Sequence, residues 1–394
     1  MKKEKELLFK ILLILFTPAV IFILAEIGFR SVDGIKEHKK VRKMNAVLTR
    51  DIISRKKVYR RIHDFMYYDK NGCFRRMPNV EGLHRSYDNI EEGLMIRINS
   101  HGIRGEEILE SPSKRVLFLG DSIVFNGGVP LKLTFVYQLE KYLNTGIENR
   151  EDYNIEVLNF GTTDTGIDQY YSKLKYHGMG LEPDYVFLGV YLNDSMASQG
   201  YIGANSLDIF EKFLESGLIA RLRFAKYIEK IYRVFKYSNK KELKKRFRWT
   251  DRYNQRRFYT DKEELLKLVE EADLDWGSAW EPEGWEKIKF YLEEIRKLCI
   301  KKDVKLVVFC FPAEFQVYSE VDWAGMDYPQ EQLRDICRTL EIPCFDLLPY
   351  LREYGRRRIF ADQCHYKAAG NNIITRILLR IIKENKDIFK GLIE

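Results

Sequence analysis

Cysteine is scarce in this chain: six residues in 394, at positions 73, 299, 310, 337, 344 and 364. No two of them form a C-x-x-C pair, which removes the usual thiolate metal patterns, and six are too few to staple a fold of this length. Cys310 and Cys344 stand in apolar runs and are expected in the core. Cysteine usage therefore leaves the compartment open. No G-x-S-x-G pentapeptide occurs, which excludes the nucleophile elbow of the α/β-hydrolases. No nucleic-acid recognition motif accompanies the basic residues, so nucleic acid is not an expected partner. No small-x-small cleavage site follows the N-terminal apolar stretch, which argues against a signal peptide.

What is present is a folded, charge-rich chain. Its 45% hydrophobic and 31% charged residues fall in the globular range. Residues 7–29, "LLFKILLILFTPAVIFILAEIGF", are charged only at Lys10 and Glu26. The charge-free part between them, about 22 Å as a helix, is short of a bilayer core of roughly 30 Å. With Lys10 and Glu26 reaching toward the two interfaces the whole stretch can span, and Pro18 is tolerated in such a helix. The expectation is an uncleaved anchor at 1–29 and a basic juxtamembrane linker at 30–61. Basic residues lie on both sides of the apolar stretch, so charge leaves its orientation open.

The net charge of +8 is concentrated in two places. Residues 221–257 hold fifteen Lys/Arg against three Asp/Glu, and residues 36–61 hold eleven against two, so the remainder is net acidic. Two basic segments on an acidic chain suit an anionic membrane or polymer; solvated helix faces are the alternative.

Residues 62–113 read as a strand-and-turn extension, with "GLMIRINSHGIRG" alternating apolar and polar around Met95, Ile96 and Ile98. From 114 to 394 strands and helices alternate. Short apolar runs at 115–120, 155–160, 185–191, 304–311 and 342–347 have the character of parallel strands covered on both faces. Helical patterns occupy 134–143, 169–177, 284–298, 329–340 and 366–383. The expected fold is α/β: a three-layer α/β/α sandwich around a mainly parallel, five-stranded, flavodoxin-like sheet, with ligands at the carboxyl ends of the strands. Residues 199–283 interrupt the alternation. Phe224, Ile228, Ile231 and Phe235 recur there at helical spacing among basic residues, as a basic helical insertion that lies on a membrane, caps a site or packs on the core.

Polar residues gather where the strands should end. The first strand runs into Gly120-Asp121-Ser122, the second into "NFGTTDTGIDQ" (159–169), the third into Asn193 and Asp194, and the last is followed by "FADQCHYKAAGNN" with Asp362 and His365 three apart at the start of the final helix. Each has a plain alternative. Ser122 is a good helix N-cap, Asn193 a good turn residue, and His365 a possible surface histidine. Arg104 is a candidate contact for an anionic substrate, with packing or solvent exposure as its plain alternative. His38, His63, His84, His101 and His177 lack any such context.

Taken together, these blocks resemble the SGNH (GDSL-type) hydrolases, in particular their bacterial membrane-anchored members. The resemblance covers about 94–378, without 199–283. Gly120-Asp121-Ser122 is similar to the first block of the family, with Ile123 in place of its usual Leu; Asn193 is similar to the third and Asp362-x-x-His365 to the fifth. The second block departs, because Asp164 stands where the subgroup usually has glycine, while Gly161 and Gly166 fall on other glycine positions. The resemblance implies a serine esterase in which Ser122 is the nucleophile, His365 the base and Asp362 the group that orients it. It implies an oxyanion hole from the N–H groups of Ser122 and Asp164 and the amide of Asn193, with Asp121 bracing the serine turn and Gly161 in support. Asp is among the few residues that tolerate a left-handed backbone, yet its carboxylate would weaken such a site if it turned inward. No metal or organic cofactor is needed. The expected substrates are carboxyl esters, O-acetyl groups above all, on envelope carbohydrate or lipid outside the cytoplasmic membrane. An O-acyltransferase with the same triad, working beside a membrane-embedded acyl-transfer partner, is one alternative. A non-catalytic scaffold for anionic polymer is another.

Overall fold

Short alternating runs early in the chain pair as two antiparallel ribbons: β1 (Met66–Tyr68) with β2 (Phe74–Arg76), and β3 (Val80–Arg85) with β4 (Gly93–Ile98). In the second ribbon Val80 faces Ile98, and Leu83 faces Met95. Val80, Ile96 and Ile98 are buried with Ile62, Phe65 and Phe125 in a small apolar cluster of their own. The extension is thus fastened to Phe125, three residues beyond Ser122. The structure, a computed structural model, describes residues 62–69, 71–88, 93–145, 154–195, 248–355 and 358–393. The expected anchor at 1–29, the linker at 30–61 and the helical pattern around Phe224–Phe235 lie outside the described residues. Among the described residues no helix is long and apolar enough to cross a membrane.

Five nearly continuous apolar runs then assemble into one parallel sheet: β5 (Lys114–Gly120), β6 (Ile155–Gly161), β7 (Tyr185–Val190), β8 (Lys305–Cys310) and β9 (Cys344–Asp346). Their spatial order is β6-β5-β7-β8-β9, so the first strand of the sheet lies between the second and third. Ligand sites of doubly wound sheets sit where the order reverses, which here is the carboxyl end of β5. Strands β5, β6 and β7 are buried along almost their whole length, as strands covered on both faces must be. Helices α1 (Ser122–Phe125), α2 (Phe135–Thr145), α3 (Ile167–Lys173), α4 (Trp249–Gln255), α5 (Lys262–Glu271), α6 (Pro282–Lys301), α7 (Tyr328–Thr339) and α8 (Ala368–Glu384) alternate with the strands. One group pairs α2 with α8, and another pairs α6 with α3 and α7.

One strand bound needs correcting. The last strand, read as 342–347, pairs only over 344–346. It is an edge strand, Pro343 has no N–H to donate, and the Ile342 N–H is taken by the carbonyl of Cys337. Of the readings open for the insertion, its described part, 248–283, takes the one in which it packs on the core. Trp249, Tyr253, Phe258, Leu265, Leu268 and Trp276 are buried in the same core as the sheet. Trp249 meets Trp276 edge-on, and Trp276 packs on Phe315. The basic residues at this end of the 221–257 run are also engaged. Arg252 bridges Glu264 and Glu271, and Arg256 pairs with Glu314 at 2.7 Å. Cys310 is buried as expected, and Cys344 only half so.

Candidate active site

Nothing larger than glycine fits at Gly120, where β5 ends. A Cβ there would stand 2.3 Å from Val124 Cγ2. The chain then turns at Asp121, whose Oδ1 accepts the N–H of Ile123 at 2.8 Å and caps α1. Such a cap contributes about 1 kcal/mol. One turn later α1 ends at Asn126, held in the left-handed region at φ 49°. Arg104 is buried and donates to the carbonyls of Phe125, Asn126 and Val129. Its buried guanidinium packs on and ties this turn, as the packing reading expected.

Ser122 and His365, 243 residues apart in sequence, meet at this turn, with Ser122 Oγ 2.9 Å from His365 Nε2. The other ring nitrogen, Nδ1, lies 2.8 Å from Asp362 Oδ2. A nitrogen facing a carboxylate carries the proton, so Nε2 is left to accept from the serine hydroxyl. Asp362 and His365 were expected at the start of the final helix. They lie instead in the loop before α8, where Asp362 Oδ1 accepts the N–H groups of Cys364 and His365 at 3.1 and 2.9 Å. An Asx-type turn, and not a helical one, sets their spacing.

Electrostatics follow from that geometry. Burial pushes Asp362 up, but His365 and the two backbone N–H groups outweigh it and hold the carboxyl at about 2. Burial likewise pulls His365 down, and Asp362, then Asp121 and Asp164, more than reverse it, so the imidazole sits above its ordinary value. Asp121 is raised to about 6, chiefly by its burial.

The second loop stands beside the first. Gly161 is indispensable, because a Cβ there would approach Phe125 N to 2.2 Å. Asn159 bonds the carbonyl of Val124 at 2.8 Å through its amide and accepts the Gly161 N–H at 3.0 Å. Two buried cations hold the following residues. Lys173 Nζ donates to the Phe160 carbonyl and to Thr162 Oγ1, each at 2.7 Å, and Arg76 donates to Thr163 Oγ1 at 2.8 Å. Asp164 takes the left-handed backbone at φ 58° with its side chain exposed, and its charge is felt by Arg76, Asp121 and His365. Among the described residues no protein acceptor engages the N–H of Ser122 or of Asp164.

Asn193 follows β7 in a 3-10 turn. The neighbouring Asp194 is fully buried, accepts Tyr170 Oη at 2.5 Å and the Tyr191 N–H at 2.8 Å, and anchors that turn. Asn193 Oδ1 is buried with no partner among the described residues. Ser122, Asp164 and Asn193 thus stand at the carboxyl ends of three adjacent strands.

Some participants carry no motif. Cys364 places its sulfur 3.4 Å from His365 Nδ1, and the ring of Tyr87 packs on the imidazole with centroids 5.1 Å apart. Arg76 and Lys173 are ordinary basic residues in sequence; only burial reveals them. A separate cluster, Asp69, Cys73 and His177, has ligand-type atoms close together. His177 Nε2 is 2.5 Å from Asp69 Oδ2, but the Arg75 guanidinium lies 2.9 Å from His177 Nδ1. Both ring nitrogens are engaged and a cation is already present, so the cluster is an ion-paired network.

No family model matches the chain, and no curated protein does. Solved structures similar in arrangement include a catalytic mutant of Axe2, an acetylxylan esterase from Geobacillus stearothermophilus. It is 12% identical over 72% of this chain and 97% of that one, with a TM-score of 0.40. LAE5, an α/β hydrolase from the metagenome of Lake Arreo, Spain, is 13% identical over 68% and 95%, with a TM-score of 0.39. A two-domain esterase active on acetylated mannans is 11% identical over 71% and 51%, also at 0.39.

Proposed function

We propose that this chain is a serine esterase of the SGNH type that cleaves O-acyl, chiefly O-acetyl, esters of envelope carbohydrate or lipid. One observation carries the reading: hydroxyl, imidazole and carboxylate from distant parts of the chain lie in line at 2.9 and 2.8 Å. Ser122 Oγ attacks the ester carbonyl as its proton passes to His365 Nε2, and Asp362 stabilises the imidazolium that forms. The N–H groups of Ser122 and Asp164 and the amide of Asn193 meet the oxyanion. Each such donor is worth about 3–4 kcal/mol of transition-state stabilisation. The C–O bond to the alcohol breaks, the imidazolium gives its proton to the leaving oxygen, and an acyl-serine remains. Water, deprotonated in turn by His365, releases the carboxylic acid and restores the serine. The apolar stretch at 7–29 supports anchoring in the cytoplasmic membrane, while the placement of this unit on the outer side rests on the resemblance to the anchored SGNH hydrolases.

A membrane-impermeant fluorophosphonate, applied to intact cells and to their lysates, tests the whole reading. Wild type should be labelled on intact cells and recovered in the membrane fraction, while Ser122→Ala stays unlabelled and loses turnover of a small acetyl ester. Labelling only after lysis would reverse the placement. Absence of labelling, where a known serine hydrolase reacts, would end the esterase reading. Adding an acceptor oligosaccharide separates hydrolysis from acyl transfer by the product formed.

A further inference from the structure

The catalytic imidazole is covered by a residue from outside the α/β sheet. Tyr87 follows β3 in the extension, and its ring lies on that of His365 with centroids 5.1 Å apart and planes tilted by 34°. The core is shaped to receive it. A Cβ on Gly128 would fall 2.1 Å from Tyr87 Cδ1, and one on Gly127 would fall 3.0 Å from the ring of His84, which in turn meets Tyr87 edge-on. Two consecutive glycines just after the nucleophile helix therefore leave room for two rings of one ribbon. Backbone bonds lock the fit. The Tyr87 N–H donates to the Gly128 carbonyl at 2.7 Å, and Asp88 Oδ2 accepts the Ala368 N–H at 3.2 Å, at the start of the helix that follows His365.

We propose that Tyr87 is a positioning residue for His365, holding the imidazole in line between Asp362 and Ser122, and that the extension is thereby part of the active site. This rests on the esterase reading of the same site. An imidazole held by hydrogen bonds at its two nitrogens can still tilt about the line joining them, and a ring packed on its face removes that freedom. The face of an aromatic ring also attracts the imidazolium formed during the reaction. Cys364 and Asp362 from its own loop, Asp121 after β5 and Asp164 after β6 are the other titratable groups facing His365.

The test is a titration of the His365 ring by NMR in the full-length chain, set beside steady-state kinetics on a small acetyl ester, for wild type, Tyr87→Phe, Tyr87→Leu and Tyr87→Ala. Tyr87→Phe should match wild type in both. Tyr87→Ala should lower kcat roughly tenfold with KM within about twofold, and the imidazole should titrate lower because it spends less time against Asp362. Tyr87→Leu should fall between, and it carries the test if Tyr87→Ala does not fold. An unchanged titration would overturn the proposal. So would an upward move, since a ring that merely excludes water gives that result. The titration is read on the imidazole itself, so it decides the role of Tyr87 even if no ester is turned over; failure of fluorophosphonate labelling counts against the esterase reading alone.

Discussion

Asp164 is the residue that would most distinguish the proposed oxyanion site from a neutral one. Its backbone is left-handed, no protein acceptor engages its N–H among the described residues, and its carboxylate adds negative charge beside His365. That charge helps to hold the imidazole above its ordinary value, so the acid limb of kcat/KM should lie above roughly 6.5. Asparagine also tolerates this backbone. Asp164→Asn removes a negative neighbour, which disfavours the protonated imidazole, so the acid limb should move down. Turnover at neutral pH should rise about twofold or more, because more of the enzyme holds a neutral base and the oxyanion meets less repulsion. A pH–rate profile of the two proteins checks both effects, and a limb that stays in place would show that the carboxylate faces away from the imidazole in solution.

At the scale of elements, the site depends on how closely β6 approaches α1. Gly161 lets the strand end come within contact of the Phe125 backbone, and Lys173 and Arg76 hold Phe160, Thr162 and Thr163 around it. Gly161→Ala has no space for its methyl group. Either α1 or the loop must yield, at about 1–3 kcal/mol of stability and at least about a tenfold loss of kcat. Lys173→Met is subtler. The apolar stem still fits, but the Phe160 carbonyl and the Thr162 hydroxyl lose a buried partner, which costs about 1–3 kcal/mol. The expected result is a lower melting temperature, with kcat reduced more than KM is raised. Equal activity per folded molecule would separate the loop's stability from its catalytic geometry.

Over the whole molecule, the described residues divide between the α/β sheet with its helices and the ribbons that cover one end of it. The segment 248–283 belongs to the first group, since its aromatic and leucine side chains share the core of the sheet. Leu268 is fully buried in α5. Leu268→Ala should therefore cost about 2–5 kcal/mol in urea unfolding while leaving kcat of the folded protein close to wild type. A cost below about 0.5 kcal/mol would mean that α5 is only loosely attached.

The sheet and the triad were legible in the chain because both rest on local signals. Runs such as "VLFLG" and "YVFLGV" are apolar on every residue, as a strand covered on both faces requires, and the polar groups of the site fall directly after them. Other features had no local signature. The Asx turn at Asp362 was read as helix, because D-x-x-H spacing fits both. Arg76, Lys173 and Tyr87 are unremarkable where they stand, and nothing near Gly127-Gly128 says that two rings from forty residues upstream will lie against them. By itself the sequence determined which segments become strands and which side chains stand at their carboxyl ends, since periodicity and chain order suffice for that. Only the tertiary structure decided which buried basic side chains hold the loop after β6 and which ring lies on the imidazole, because packing between distant segments depends on shape and distance that no local pattern encodes.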